Sequence, residues 1–289
     1  GNVGASVVKH LVSMGHFVRA AVRNPEHARR RLELDEAEED AVEFVRLEFD
    51  GSSPSRALFA SDTTVSSGPV SGIFLMRPPQ IGDVRRLMFP FVHRAADATV
   101  HRMVVLSLLG AQMMPFIPHR KLEKEVERIG FNFSFLRTGF FLQNLDTAFR
   151  DFIRDDDELP MPAGSGRTSF VDARDLGEAA AILLASQGAP PATPELTGPE
   201  ALTYGEVASE LTELLQRPIA YPRLSTRGFR RRALQRAWDP DYVKIVSRLF
   251  LTVRFGLASK VTGELAGILG RAPRTLKEYL RDYRESWIP

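Results

Sequence analysis

The first fifteen positions of the chain carry apolar residues at helical spacing. These residues are Val3, Val7, Val8, Leu11 and Val12. Because positions three and four apart share one face of a helix, the pattern predicts a helix that Gly15 ends. The apolar run that follows, residues 16–22, predicts a short strand, which Asn24 and Pro25 break.

The same alternation of strand and helix continues through the first half of the chain. The further predicted strands are 42–50, 71–76, 102–110 and 131–139. Asp50 ends the first of these strands. Helices are predicted over 83–100 and over 118–129, and Pro90 is expected to kink the first of them. Strands that alternate with helices indicate an α/β fold with a doubly wound parallel sheet of the Rossmann type.

The alternation fades after Leu145, and a segment rich in Pro and Ala, residues 187–194, precedes a helical final third. We therefore expect a dinucleotide-binding domain over 1–145, to which 168–188 returns. The remaining segments, 146–167 and 197–289, are expected to form a smaller, partly discontinuous and mainly helical lobe for a substrate or partner.

Composition narrows the class of protein. Hydrophobic residues make up 44% of the chain and charged residues 26%, as in ordinary soluble proteins. No apolar run reaches the roughly 20 residues of a membrane span, and no signal pattern opens the sequence, so we expect a cytoplasmic protein without membrane contact. The absence of cysteine excludes disulfides and thiolate chemistry, and six scattered histidines argue against a metal site.

Charge gives little reason to expect a nucleic-acid partner. The net charge of +2 comes from 38 basic and 36 acidic residues, so no global basic surface is present. The one concentrated basic stretch, 227–238, is interpreted as a solvated helix face with Leu234 and Trp238 pointing inward. An oligomer is compatible with the sequence.

Gly1 and Gly4 open the first predicted helix. Glycines at a helix start are typical of capping and packing, but they also let backbone N–H groups approach a pyrophosphate. The order that follows, which is helix, strand, basic residue, helix and a strand ending in an acid, favours dinucleotide binding.

The blocks that follow resemble the NmrA-like group of atypical short-chain dehydrogenases/reductases. The opening GNVGASVVKHLVSMGHFVRAAVRNP is similar to a member without its first strand and leading glycine, so we expect a central strand before Gly1. Further similar blocks are FLMRPP, VVLSLLGA, HRKLEKEVERIGFNFSFLRTGFFLQNL, FVDARDLGEAAAILL, LTGPEALTYGEVASEL and GRAPRTLKEYLRDY. The resemblance implies cofactor contacts from Gly1, Asn2, Val3, Gly4, Arg23, Asp50, Arg77, Pro78, Pro79, Ser107 and Thr138.

The catalytic pair typical of short-chain dehydrogenases, Tyr-x-x-x-Lys, is missing. Ser107 ends a predicted strand, and His119 with Glu123 at i+4 occupies the place of that pair, a departure similar to the one in NmrA-like proteins. A neighbouring carboxylate would orient His119 and raise its pKa from about 6.5. Lys121 is a substitute donor that points off the His119 face. The alternatives are a first-turn His119 beside a solvated Glu123, and Ser107 as a structural hydroxyl.

The segment after the next strand supplies candidate substrate residues. Thr138 to Phe141 are expected at the carboxyl edge of the sheet, where ligands of open α/β folds bind. Phe140 and Phe141 are candidates for the wall of a substrate pocket, with Asn144 to orient a polar group. Core packing is the alternative for the aromatic pair.

Arg23 follows the second strand of the expected Rossmann order with no acid adjacent, which favours NADP(H), while NAD(H) stays possible. We therefore expect a reductase that passes hydride from NADP(H) to a small apolar acceptor such as a quinone, enone or imine, with His119 supplying the proton. The alternative is a non-catalytic NADP(H)-sensing regulator. Epimerisation of a nucleotide sugar is less favoured because Tyr-x-x-x-Lys is absent.

Overall fold

The computed structural model describes residues 1–60, 69–98 and 100–288. These fold as two units, each built from two stretches of sequence. Unit 1 comprises Gly1–Thr138 and Arg174–Glu195, and unit 2 comprises Gly139–Ala173 and Leu196–Pro289.

Unit 1 is built from alternating strands and helices. In chain order these are α1 (Asn2–Ser13), β1 (Val18–Val22), α2 (Pro25–Leu32), α3 (Glu36–Asp40), β2 (Val42–Arg46), β3 (Gly72–Met76), α4 (Val84–Leu87), α5 (Phe89–Asp97), β4 (Arg102–Leu108), α6 (Pro118–Ile129) and β5 (Asn132–Thr138). Helix α8 (Ala173–Ala185) returns to this unit after α7 (Arg150–Asp155) and β6 (Arg167–Ser169) of unit 2, and β7 (Glu195–Leu196) follows it.

The strands of unit 1 pair in two sheets. In one, β1 pairs with β2 in parallel, and in the other the order is β3-β4-β5-β7, with β3, β4 and β5 parallel. The predicted α/β class with a parallel sheet is confirmed. Strand β2 is shorter than predicted, because its register ends where Val22, the last residue of β1, meets Arg46. Asp50 therefore lies beyond the strand, not at its end.

Helix α6 is fixed by local signals and by one buried face. Pro118 occupies the first helical turn and Gly130, with φ of +90°, ends the helix, as the sequence predicts. Leu122 and Val126 are fully buried in a core that they share with β3, β4 and β5. The predicted helix 83–100 is two helices, with Pro90 in the first turn of α5.

Unit 2 is mainly helical around an aromatic core. Its remaining elements are β8 (Ala201–Thr203), α9 (Tyr204–Leu215), α10 (Thr226–Gln235), α11 (Pro240–Arg254), α12 (Glu264–Leu269) and α13 (Leu276–Asp282), and β6 pairs antiparallel with β8. Tyr204, Phe250, Tyr279 and Trp287 are buried at its centre. In the described part of the chain, no helix combines the length and apolarity required to cross a membrane.

The basic stretch of α10 differs from the prediction in its orientation. Phe229 and Ala233 are the buried residues, while Leu234 is 47% exposed, so its predicted inward position is wrong. Arg232 donates to Glu158 and Arg236 pairs with Asp155, so acidic partners neutralise part of the stretch.

Candidate functional site

The start of α1 offers free backbone donors. The first backbone hydrogen bond of the helix runs from Ala5 N to Gly1 O at 2.9 Å, so the N–H groups of Asn2, Val3 and Gly4 have no acceptor within α1. A Cβ at Gly4 would meet no heavy atom within 4 Å among the described residues, so packing does not require the glycine. The Val3 side chain is buried, and the Asn2 carboxamide oxygen accepts from Arg31. The donors that this turn offers to a ligand are therefore chiefly its backbone N–H groups.

The end of β3 connects α1 to the candidate catalytic histidine. A Cβ at Gly1 would lie 3.5 Å from Met76 Cε, so the start of α1 lies beside the last residue of β3. The next residue, Arg77, donates from Nη1 to the carbonyl oxygens of Pro78 (3.0 Å) and Pro79 (3.0 Å). Its Nε donates to His119 Nε2 at 3.3 Å. Unit 1 therefore brings the start of α1, the end of β3 and His119 together.

His119 lies beside a cation, and this reverses the expected shift of its pKa. Burial is the main cause and the Arg77 guanidinium the second cause that lower the pKa of His119 to about 4, while Glu123 opposes them by a smaller amount. The predicted rise is therefore wrong. The physical reason is that burial removes the imidazole partly from water, which disfavours its charged form. The positive charge of Arg77 also disfavours that form, by more than the negative charge of Glu123 favours it.

Glu123 is fully buried and is held by three donors. Its carboxylate accepts from Ser107 Oγ at 2.6 Å, from Arg137 Nε and Nη2 at 3.1 and 2.9 Å, and from Arg120 Nη1 at 2.8 Å. Burial by itself raises the pKa of Glu123, but these hydrogen bonds, led by that from Arg137, outweigh it and lower the pKa. The interpretation of Glu123 as a solvated residue is wrong. Its charge raises the pKa of His119 as predicted, but by less than the other causes lower it, and its role as the partner of His119 stays a prediction.

The neighbouring strands carry a signal for this cluster in the sequence. Ser107 and Arg137 are register partners on the adjacent parallel strands β4 and β5. Both side chains therefore lie on the same face of the sheet, which α6 covers at Glu123. Ser107 is 1% exposed and donates to Glu123, so the structure gives its hydroxyl a structural hydrogen bond.

Two other candidates lie at or near this edge. Thr138 ends β5, and its buried Oγ1 has no hydrogen-bond partner among the described residues. Lys121 is partly buried on α6, and its ammonium has no partner in the described part of the chain. The roles predicted for both stay predictions.

The two candidates for the ribose end of a cofactor differ in availability. Arg23 directly follows β1, is exposed, and makes no hydrogen bond or ion pair within residues 1–60, 69–98 and 100–288. The Asp50 carboxylate accepts from Ser52 N at 2.8 Å and from Ser52 Oγ at 2.6 Å, and these bonds lower the pKa of Asp50. Arg23 is therefore the free group of the two.

The substrate candidates lie in unit 2. Phe140 is partly buried, and its ring centroid is 5.9 Å from that of Phe250 in the core of that unit. Phe141 pairs through its backbone with Val171, and Asn144 ends a short 3-10 turn. Phe140 therefore packs against the core, which was the alternative interpretation of the aromatic pair.

Sequence analysis missed an exposed apolar loop before His119. Between β4 and α6, Met113 is 79% exposed, Phe116 is 84% exposed and Met114 is 40% exposed. Backbone hydrogen bonds hold the loop, among them Met113 N to Gly110 O at 3.0 Å and Ile117 N to Met114 O at 3.2 Å. Apolar periodicity could not find this loop, because the pattern does not distinguish exposed from buried apolar residues.

The chain is similar to known proteins along most of its length. Festuclavine synthase II of Penicillium roqueforti is 28% identical over 228 residues, which are 76% of this chain and 77% of that protein. The Citrobacter sp. triphenylmethane reductase complexed with NADP(H) has a TM-score of 0.82 at 21% identity and covers 97% of this chain and 96% of its own. The NADPH-dependent quinone oxidoreductase of Escherichia coli complexed with NADPH has a TM-score of 0.81 at 20% identity. The match covers 98% of this chain and 97% of that protein's chain.

The two solved structures show that this chain has their fold, as expected for a Rossmann protein. The family model described as the NmrA-like family matches residues 1–237. The predicted resemblance is therefore confirmed, and the chain belongs to the NmrA-like family.

Proposed function

We propose that the protein is an NADP(H)-dependent oxidoreductase that transfers hydride to a small apolar acceptor. The observation that carries the proposal is the contact series at one edge of unit 1. The glycine-opened start of α1 lies against Met76, and the following residue, Arg77, contacts His119. This arrangement supports the proposal, because a helix N-terminus suits a phosphate and a nearby polar side chain suits a reacting atom.

The residues of unit 1 fit a dinucleotide. The open space at Gly4 and the unused N–H groups of the first turn suit a pyrophosphate. The exposed Arg23 guanidinium suits a ribose 2′-phosphate, which favours NADP(H) over NAD(H). The unpartnered Thr138 hydroxyl suits a polar group at the carboxyl end of β5. The bound dinucleotide would supply the hydride.

The loop before α6 supports the acceptor class. Met113, Met114 and Phe116 expose large apolar surfaces on an ordered backbone, three to six residues before His119. Ordered apolar surface of this kind is typical of a site that binds an apolar ligand. A quinone, enone or imine combines such a surface with one polar atom, which His119 would contact. The relatives named as a triphenylmethane reductase and a quinone oxidoreductase favour the same class.

The test separates binding from turnover. Fluorescence titration with NADPH and NADH measures cofactor affinity, and NADPH oxidation is then followed with a panel of quinones, enones and imines. We expect tighter binding of NADPH and acceptor-dependent oxidation. Binding without oxidation by any acceptor would favour the regulatory alternative. The absence of the Tyr-x-x-x-Lys pair is the observation that favours this alternative. Absence of binding would overturn both.

A further inference from the structure

The contact between Arg77 and His119 defines the protonation state of the imidazole. A guanidinium has only donors, so the hydrogen bond from Arg77 Nε to His119 Nε2 requires a lone pair on Nε2. The imidazole is then neutral and carries its proton on Nδ1. In the described part of the chain, Nδ1 has no hydrogen-bond partner, so the N–H remains available to a ligand.

Arg77 is held in place by its own loop. Its Nη1 donates to the carbonyl oxygens of Pro78, Pro79 and Ile81, the last at 2.7 Å. Three backbone acceptors fix the plane of the guanidinium, and this leaves Nε directed at His119. Because arginine does not lose its charge in proteins, the positive neighbour is permanent.

The charged groups that act on His119 come from two elements. Arg77 follows β3, and Glu123 lies on the same helix as His119. Glu123 is already bound by Arg137, Ser107 and Arg120, so its charge is largely compensated. The field at the imidazole is therefore dominated by the cation.

We propose that Arg77 is a positioning residue that fixes His119 as the neutral Nδ1–H tautomer, so that His119 serves the acceptor as a hydrogen-bond donor and not as an imidazolium acid. The proposal rests on the proposed reductase function. As hydride reaches the acceptor, negative charge develops on its oxygen or nitrogen, and the Nδ1–H group stabilises that charge. His119 keeps its proton, and the proton that completes the reduction comes from water.

If His119 acts as a neutral donor, the rate of NADPH oxidation does not depend on the fraction of imidazolium. An imidazolium donor loses about tenfold in its reactive fraction for each pH unit above its pKa. A neutral donor keeps its proton throughout this range. Removal of Arg77 would free Nε2, allow both tautomers, and raise the pKa of His119, although burial would still hold it below the ordinary value of about 6.5.

The tautomer can be read without turnover. The full chain is labelled with ¹⁵N-histidine, and the His119 signals are assigned from their loss in His119→Asn. In wild type we expect the Nδ1–H pattern of ¹⁵N shifts and no titration between about pH 5.5 and 8. In Arg77→Met we expect mixed tautomers and a pKa of His119 raised by at least about one unit. Arg85→Met, which changes an exposed arginine of α4, is the matched control and should leave the spectrum unchanged.

A second variant and a rate measurement complete the test. Arg77→Lys keeps the charge but not the planar fork, and should move the same signals in the same direction by less, even if the methionine variant does not fold. The pH profile of NADPH oxidation should gain a fall toward alkaline pH in Arg77→Met. A wild-type Nε2–H tautomer, or a wild-type titration near pH 6.5, would overturn the proposal. Failure of every acceptor would overturn the reductase function and leave the NMR result to decide the tautomer.

Discussion

His119 and Glu123 lie one turn apart on α6, yet they belong to different regions of unit 1. His119 is partly buried, accepts one hydrogen bond from Arg77 and leaves Nδ1 open. Glu123 is fully buried and is held by three donors from β4, β5 and its own helix. The region of His119 can receive a ligand, and the hydrogen bonds of Glu123 hold helix α6 against the sheet.

The difference teaches that spacing allows a contact but does not choose it. Residues at i and i+4 share a helix face, so a His119–Glu123 pair was a reasonable expectation. A carboxylate, however, binds the two N–H groups of a guanidinium more strongly than one neutral imidazole. Arg137 offers those two groups from β5, and Glu123 therefore turns toward the sheet.

The largest expected effect is on the buried side of this comparison. Glu123→Gln leaves the charge of Arg137 buried without its counter-charge, and we expect a loss of about 3–5 kcal/mol in the free energy of unfolding. Urea unfolding at neutral pH measures it. His119→Asn is the control, for which we expect a loss below about 1 kcal/mol. Equal losses in the two variants would remove the distinction between the regions.

The same ion cluster predicts a pH dependence. Because the pKa of Glu123 is lowered in the folded protein, its stabilisation is fully present above the unfolded value of about 4.3. It is lost as the pH falls through the folded pKa. The stability of wild type should therefore fall more steeply in acid than that of Glu123→Gln, and unfolding curves across the acidic range would show parallel slopes if the idea is wrong.

The next effect belongs to the open side. His119→Ala removes the proposed donor to the acceptor, and we expect single-turnover NADPH oxidation to slow by about 10²–10³-fold. Cofactor affinity should stay nearly unchanged, because the side chain acts in the transition state. Unchanged oxidation would remove His119 from the reaction and leave Lys121 as the next donor to test.

Local structure around the site was predictable because its signals are local. Pro118 and Gly130 set the ends of α6, and the apolar runs of β4 and β5 identify buried parallel strands. The partners of the site were less accessible. Arg77 is 42 positions from His119, and which guanidinium reaches which acceptor depends on the strand register and on the loop after β3. The end of β2 was misplaced because its pairing stops with β1, while its apolar alternation continues.

A smaller effect compares an engaged arginine with a free one. Arg77 is held by its loop, whereas Arg23 is exposed and makes no ion pair in the described part of the chain. If Arg23 meets the 2′-phosphate, Arg23→Ala should weaken NADPH binding by about tenfold and leave NADH binding nearly unchanged, as expected for a charge-assisted hydrogen bond. Arg30→Ala, at an exposed position of α2, is the control. Equal wild-type affinities for the two cofactors would contradict the assignment.

The smallest effect concerns Glu125, a second carboxylate of α6, two residues beyond Glu123. It accepts from Arg128 at 2.6 Å and lies 2.5 Å from His93, and both of these partners are largely exposed. Hydrogen bonding from Arg128 is the main cause that lowers the pKa of Glu125 to about 2, so its contribution is present above pH of about 4.3 and is lost as the pH falls toward 2. Solvent screens the partners, and Glu125→Gln should cost at most about 1 kcal/mol at neutral pH. If urea unfolding gives Glu125→Gln the same cost as Glu123→Gln, then burial is not what separates the two carboxylates. A small cost would place the stabilising role of α6 on the face that meets Ser107 and Arg137.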